Sequence, residues 1–104
     1  MTSELVDKSI TMATSHLQMA KAARYMKALC NHFSRKADAS YEGNQGQVTL
    51  TAGKCEMLAE EDVLTLHVRA TTADNLERMK RVIGDHLIRF AGDEALQVVW
   101  IDNS

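Results

Sequence analysis

Gln47-Val48-Thr49-Leu50-Thr51-Ala52-Gly53-Lys54-Cys55-Glu56-Met57-Leu58-Ala59-Glu60-Glu61-Asp62-Val63-Leu64-Thr65-Leu66-His67-Val68-Arg69-Ala70 is the stretch that decides the fold. Val48, Leu50 and Ala52 alternate with Gln47, Thr49 and Thr51. Cys55, Met57 and Ala59 carry the apolar face onward, and Leu64, Leu66, Val68 and Ala70 alternate with Thr65, His67 and Arg69. A period of two is that of a strand with one face packed and the other wet. Ala52-Gly53-Lys54 and Glu60-Glu61-Asp62 interrupt it with turn chemistry. Just upstream, Ala37 to Tyr41 alternates too, and Glu42-Gly43-Asn44-Gln45-Gly46 supplies another turn. Consecutive hairpins predict an antiparallel meander.

On both sides of the meander the period changes. Upstream, Ile10 to Thr14 alternates as a strand. Ser15 with Gln18 three residues later reads as a capping box, predicting a helix from His16 to about Lys36. Ala22, Ala23, Met26, Leu29, Cys30 and Phe33 form its apolar stripe. Downstream, Thr71 or Thr72 caps a second helix, whose stripe is Leu76, Met79, Ile83, Leu87 and Phe90 and which Gly92 ends. Leu96, Val98 and Trp100 alternate as a last strand. The order β-α-β-β-β-β-α-β predicts an α+β two-layer sandwich, a single domain over residues 1–104, with two long helices packed on one face of a largely antiparallel sheet.

Composition narrows the function classes. A chain of 104 residues, 45% hydrophobic and 25% charged, has the balance of a soluble globular domain. No apolar run spans a bilayer, and Met1 to Asp7 lacks the basic and apolar regions of a signal peptide, so a cytoplasmic protein without membrane contact is expected. The net charge is -2, with seven Lys/Arg against four Asp/Glu in residues 1–54 and five against ten thereafter. Nothing in that balance calls for nucleic acid. Cys30 and Cys55 lie inside apolar patterns, as reduced buried thiols do.

Each helix places a histidine beside its stripe near its end: Leu29-Cys30-Asn31-His32-Phe33 and Ile83-Gly84-Asp85-His86-Leu87. A shift of 54 carries His32 onto His86 and Arg35 onto Arg89, which hints at two helices related by an approximate two-fold axis, with their histidines meeting between the helices or at a dimer interface. Arg24, Arg35 and Arg89 lie near the histidines in sequence. Guanidinium forks match carboxylate or phosphate oxygens, and imidazole adds a group whose charge changes near neutral pH. Structural histidines bonded to backbone or to Tyr25 are the competing reading. A metal site would need His32 and His86 with His16, His67 or a carboxylate, assembled across elements, since no HxxxH, HxH or HExxH spacing occurs. Cys30 and His32, two apart on a helix, point in opposed directions and make no nucleophile–base pair.

The residues Thr14, Arg24-Tyr25, Leu29-Cys30, His32-Phe33, Lys36, Gly46, Gly53, His86-Leu87, Arg89-Phe90-Ala91 and Trp100 resemble a small bacterial family of unknown function, marked by Arg-Tyr-x-x-x-Leu-Cys-x-His-Phe and His-Leu-x-Arg-Phe-Ala. The resemblance implies a link to iron-siderophore handling, because some relatives accompany siderophore-interacting flavoproteins. The chain departs from the pattern at Arg35, where relatives place a histidine, which weakens a three-histidine metal site. It departs again at Gly92-Asp93-Glu94, where relatives have Phe-Arg-Glu, which weakens an aromatic lid. The expectation is a non-enzymatic module binding a small anion through Arg24, Tyr25, His32, His86 and Arg89, with a flavoprotein as a partner. Two alternatives stay open: a homodimeric interaction protein with structural histidines, and a small enzyme with a histidine general base. Metal and cofactor are left unassigned.

Overall fold

The computed structural model describes residues 11–92 and 96–102. The elements are β1 (Thr11–Gln18), α1 (Ala22–Phe33), β2 (Asp38–Glu42), β3 (Gln45–Thr49), β4 (Lys54–Glu60), β5 (Val63–Ala70), α2 (Ala73–Ala91) and β6 (Ile101–Asp102). This is the predicted order. One antiparallel sheet runs β2-β3-β4-β5-β1-β6, and both helices pack on the same face of it. No helix among the described residues is long and apolar enough to cross a membrane.

The meander residues explain the layering. Val48, Cys55, Met57, Ala59, Leu64, Leu66, Val68 and Ala70 are buried under the helices, joined from β1 by Ala13, Ser15 and Leu17. The helices answer with Ala22, Met26, Leu29, Cys30 and Phe33 from α1 and Leu76, Met79, Ile83 and Leu87 from α2. Each large apolar side chain taken fully out of water contributes roughly 1.5–3 kcal/mol. The opposite face, with Thr14, His16, Gln47, Glu56, Thr65 and Arg69, stays open to solvent or half-covered.

Glycine matters where α1 and a hairpin come close. A Cβ on Gly46 would stand 2.9 Å from the Cys30 sulfur, so glycine there lets α1 settle onto β3. Gly53 closes the β3–β4 hairpin, exchanging backbone hydrogen bonds of 2.8 and 3.2 Å with Leu50, and a Cβ there would run into the Arg69 carbonyl.

The predicted helix starts too early. All eight residues of β1 pair with β5, from Thr11 opposite Ala70 to Gln18 opposite Val63, so Ser15 and Gln18 are strand residues and no capping box forms. His16 therefore lies in the sheet. The alternation of buried Ala13, Ser15 and Leu17 with Thr14, His16 and Gln18 outweighs the Ser-x-x-Gln pattern, because pairing with a central strand satisfies every backbone group at once. Helix α1 opens instead at Lys21, in the left-handed conformation (φ 63°) and without a side-chain cap. The last strand is also displaced. Leu96, Val98 and Trp100 keep their alternation as half-buried residues, but the segment rests on α2, with Val98 against Gly84. Of its described residues only Ile101 and Asp102 reach the sheet, opposite Thr14 and Ala13 of β1. The earlier strand start at Ile10 and the N-terminal segment fall outside the described residues.

Candidate functional site

Leu29 and Ile83 are core residues, and His32 and His86 each follow by three positions. Three residues turn a helix by about 300°, so each imidazole sits on the same shoulder of its stripe. Two helices lying side by side on one sheet and related by a two-fold axis turn matching shoulders toward each other. The structure brings the two rings to 4.8 Å between centroids, tilted by 49°. Strands β1 and β5, which lead into the helices, are antiparallel neighbours, as that symmetry requires. Beyond the β-α units the symmetry lapses, because β2 and β6 lie at opposite edges with β3 and β4 on one side only.

Phe33 and Phe90 wall the pair. Phe33 stands 5.1 Å from His32 and 4.9 Å from His86, and Phe90 stands 5.6 and 6.1 Å from them. The His86 Nδ1–H donates to the carbonyl of Val82 one turn earlier, at 2.7 Å. A carbonyl can only accept, so the proton is on Nδ1, and in the neutral ring Nε2 carries a free lone pair. His32 has its pKa below the ordinary imidazole value. Burial is the main cause, followed by the positive charges of His86, Lys36, Arg35 and Arg89. Arg35, Lys36 and Arg89 form no ion pair among the described residues, where the salt bridges are those of Lys54 with Glu56 and of Lys80 with Glu77 and Asp102.

Of the five residues expected to form the site, three meet here: His32, His86 and Arg89. Arg24 and Tyr25 occupy the first turn of α1, seven or eight residues before His32 and so roughly 10–12 Å away along the axis. Tyr25 packs half-buried against the core and Arg24 is exposed; neither is bonded to the histidines among the described residues. Arg35, expected beside the histidines together with Arg24 and Arg89, does act on His32, and Lys36 joins it. Phe33 and Phe90 complete the surroundings, and their spacing of +1 and +4 from a histidine was the available signal. No group of three metal-ligating side chains is gathered anywhere among the described residues, and His16 and His67 lie on the other face of the sheet.

That open face carries a concavity of about 720 Å³, lined in part by Ser40, Gln47, Lys54, Glu56, Leu58 and His67. Its polar groups already answer one another. Gln47 donates to Asp38 and Ser40, at 3.3 and 3.2 Å, Lys54 lies 4.0 Å from Glu56, and His67 bonds the Thr14 hydroxyl at 3.0 Å. The helix seam differs in having cations that no carboxylate among the described residues neutralises. Both thiols are buried and free, and burial pushes Cys55 up to about 12 and raises Cys30 as well, which leaves them as inert packing groups.

Comparison with known proteins places these features in a family. The NMR structure of PA4090 from Pseudomonas aeruginosa is similar, with a TM-score of 0.77 and 32% identity over 88% of this chain and 95% of that one. No curated protein matches. Residues 14–101, which include both histidine helices and the meander between them, match the DUF2218 model, described as an uncharacterized protein conserved in bacteria, and the chain belongs to that family.

Proposed function

We propose that this protein is a non-enzymatic binding module that takes a small organic anion into the seam between α1 and α2. The observation that carries the reading is the His32–His86 pair, 4.8 Å apart, beside three cationic side chains that have no carboxylate partner among the described residues. Arg35 and Arg89 offer planar forks to anionic oxygens and Lys36 adds a point charge. The two phenyl rings exclude water on one side and strengthen the electrostatics there. The same positive charges oppose a bare metal cation.

The test is a titration of isotope-labelled protein with sodium citrate and, separately, inorganic phosphate, followed by NMR at constant ionic strength. Saturable shifts at His32, His86 and Arg89, lost in Arg89→Gln, support the reading. Shifts that scale only with salt, or that centre on the open sheet face, overturn it. The finer setting, iron-siderophore handling beside a flavoprotein, rests on the sequence resemblance. A homodimeric interaction protein is the second reading. It is favoured by Val99 and Ile101, 65% and 62% exposed on and beside the edge strand β6.

A further inference from the structure

An anion needs only positive charge and donors, and the arginines and lysine supply both. The histidine pair offers something else. With its Nδ1 proton committed to Val82, His86 presents an acceptor at Nε2, and an acceptor repels an anionic oxygen unless that oxygen carries a proton. A simple dicarboxylate or sulfate would bring no donor to this lone pair on a ring that Phe33 and Phe90 flank. The ligand that satisfies these groups has anionic oxygens for the cations, a hydroxyl to donate to Nε2, and a carbon skeleton to lie against the half-buried Phe90.

We infer, on the basis of the anion-binding reading above, that the ligand class is a hydroxycarboxylate whose hydroxyl donates to His86 Nε2 while its carboxylate pairs with the basic cluster. Bound this way, the hydroxyl is a determinant of specificity. A site that buries a polar group against a substrate hydroxyl rejects the analogue that lacks it, because the group is then left unpaired. Inorganic monohydrogen phosphate shares the donor and the charge but has no carbon to cover the Phe90 ring, so it is expected to bind more weakly.

Matched acids test this directly. Malate and succinate differ by one hydroxyl, as do citrate and tricarballylate. Calorimetric titration of the wild-type protein at pH 7.5 is expected to favour the hydroxylated member of each pair by about tenfold in Kd, the range set by one unsatisfied hydrogen-bond partner. His86→Phe keeps a ring in the aromatic cluster and is expected to bring both ratios near one. Arg89→Gln is expected to weaken both members alike and leave the ratios standing. Equal affinity for both members in the wild type overturns the hydroxyl assignment while leaving anion binding intact. Binding of none of the four acids overturns the anion-binding reading and this one with it. Tighter binding of phosphate than of any of them overturns the carbon-skeleton argument. The nitrogen chemical shift of His86 in the wild type gives a readout that needs no variant. Nε2 is expected to stay unprotonated in the citrate complex, and a protonated Nε2 there overturns the assignment.

Discussion

His32 shows how the environment of one side chain becomes a property of the whole chain. Its pKa is lowered in the folded state from an ordinary value near 6.5, by burial first and by neighbouring positive charges second. The unfolded chain therefore takes up its proton earlier as the pH falls. The contribution to stability is fully present above about 6.5 and is lost as the pH drops through the depressed value. Urea unfolding between pH 7.5 and 5 is expected to show a steeper loss in the wild type than in His32→Asn; parallel curves would show that the ring is free of its neighbours. Gly53 makes a second prediction at this scale. Its missing side chain faces the backbone carbonyl of Arg69, which cannot swing away, so Gly53→Ala is expected to cost about 1–3 kcal/mol by chemical denaturation. Gly43 is the control for crowding: it has open space and fails only through its positive φ of 61°. The histidine shoulders were legible in the sequence, since position relative to a stripe is a matter of counting. Arg35, three residues past His32, was legible in the same way; the company of Lys36, beyond the end of α1, was not.

The two helices begin by different means, and their stability follows. Thr72 accepts a hydrogen bond from the Asn75 amide at 3.1 Å, so Thr72→Ala is expected to cost about 1 kcal/mol. Lys21 enters α1 in a left-handed conformation with no cap, and Lys21→Gly is expected to raise stability by up to about 1 kcal/mol, since glycine carries no steric penalty there. Thermal melts of the two variants, moving in opposite directions, check both claims. The sequence announced the start of α2 and its end at Gly92, because capping chemistry is local. It misplaced the start of α1 because a strand that runs straight into a left-handed turn has no side-chain signature. The Ser15 to Gln18 spacing imitated a cap that a neighbouring strand, some fifty residues away, had already made unnecessary.

At the scale of the molecule, the sheet order ranks the strands by protection. β5 and β1 sit inside the sheet under α2, whereas β2 and the two-residue β6 form its edges. Amide exchange is expected to be slowest in Leu64 to Val68 and Ala13 to Leu17 and fastest in β2 and β6, and uniform protection would contradict the layering. Layer architecture was legible because the periods of two and of 3.6 alternate along the chain in unbroken blocks. The path of residues 96–102 was not, because alternation there reflects packing onto α2 rather than strand pairing.

The pairing of β1 carries a consequence for synthesis. Its only neighbours in the sheet are β5 and β6, so its first partner leaves the ribosome some fifty residues after it does. Until then β1 lacks its long partner, and α1 can cover β2, β3 and β4 but not β5. The nascent chain must hold its first strand and helix in waiting while the meander forms, and closing that long loop is the entropic step on which folding turns. Translation arrested before Val63 leaves a fragment whose first described strand has no partner from the meander. The last turn of the meander is then the point at which this chain becomes a protein rather than a client for chaperones.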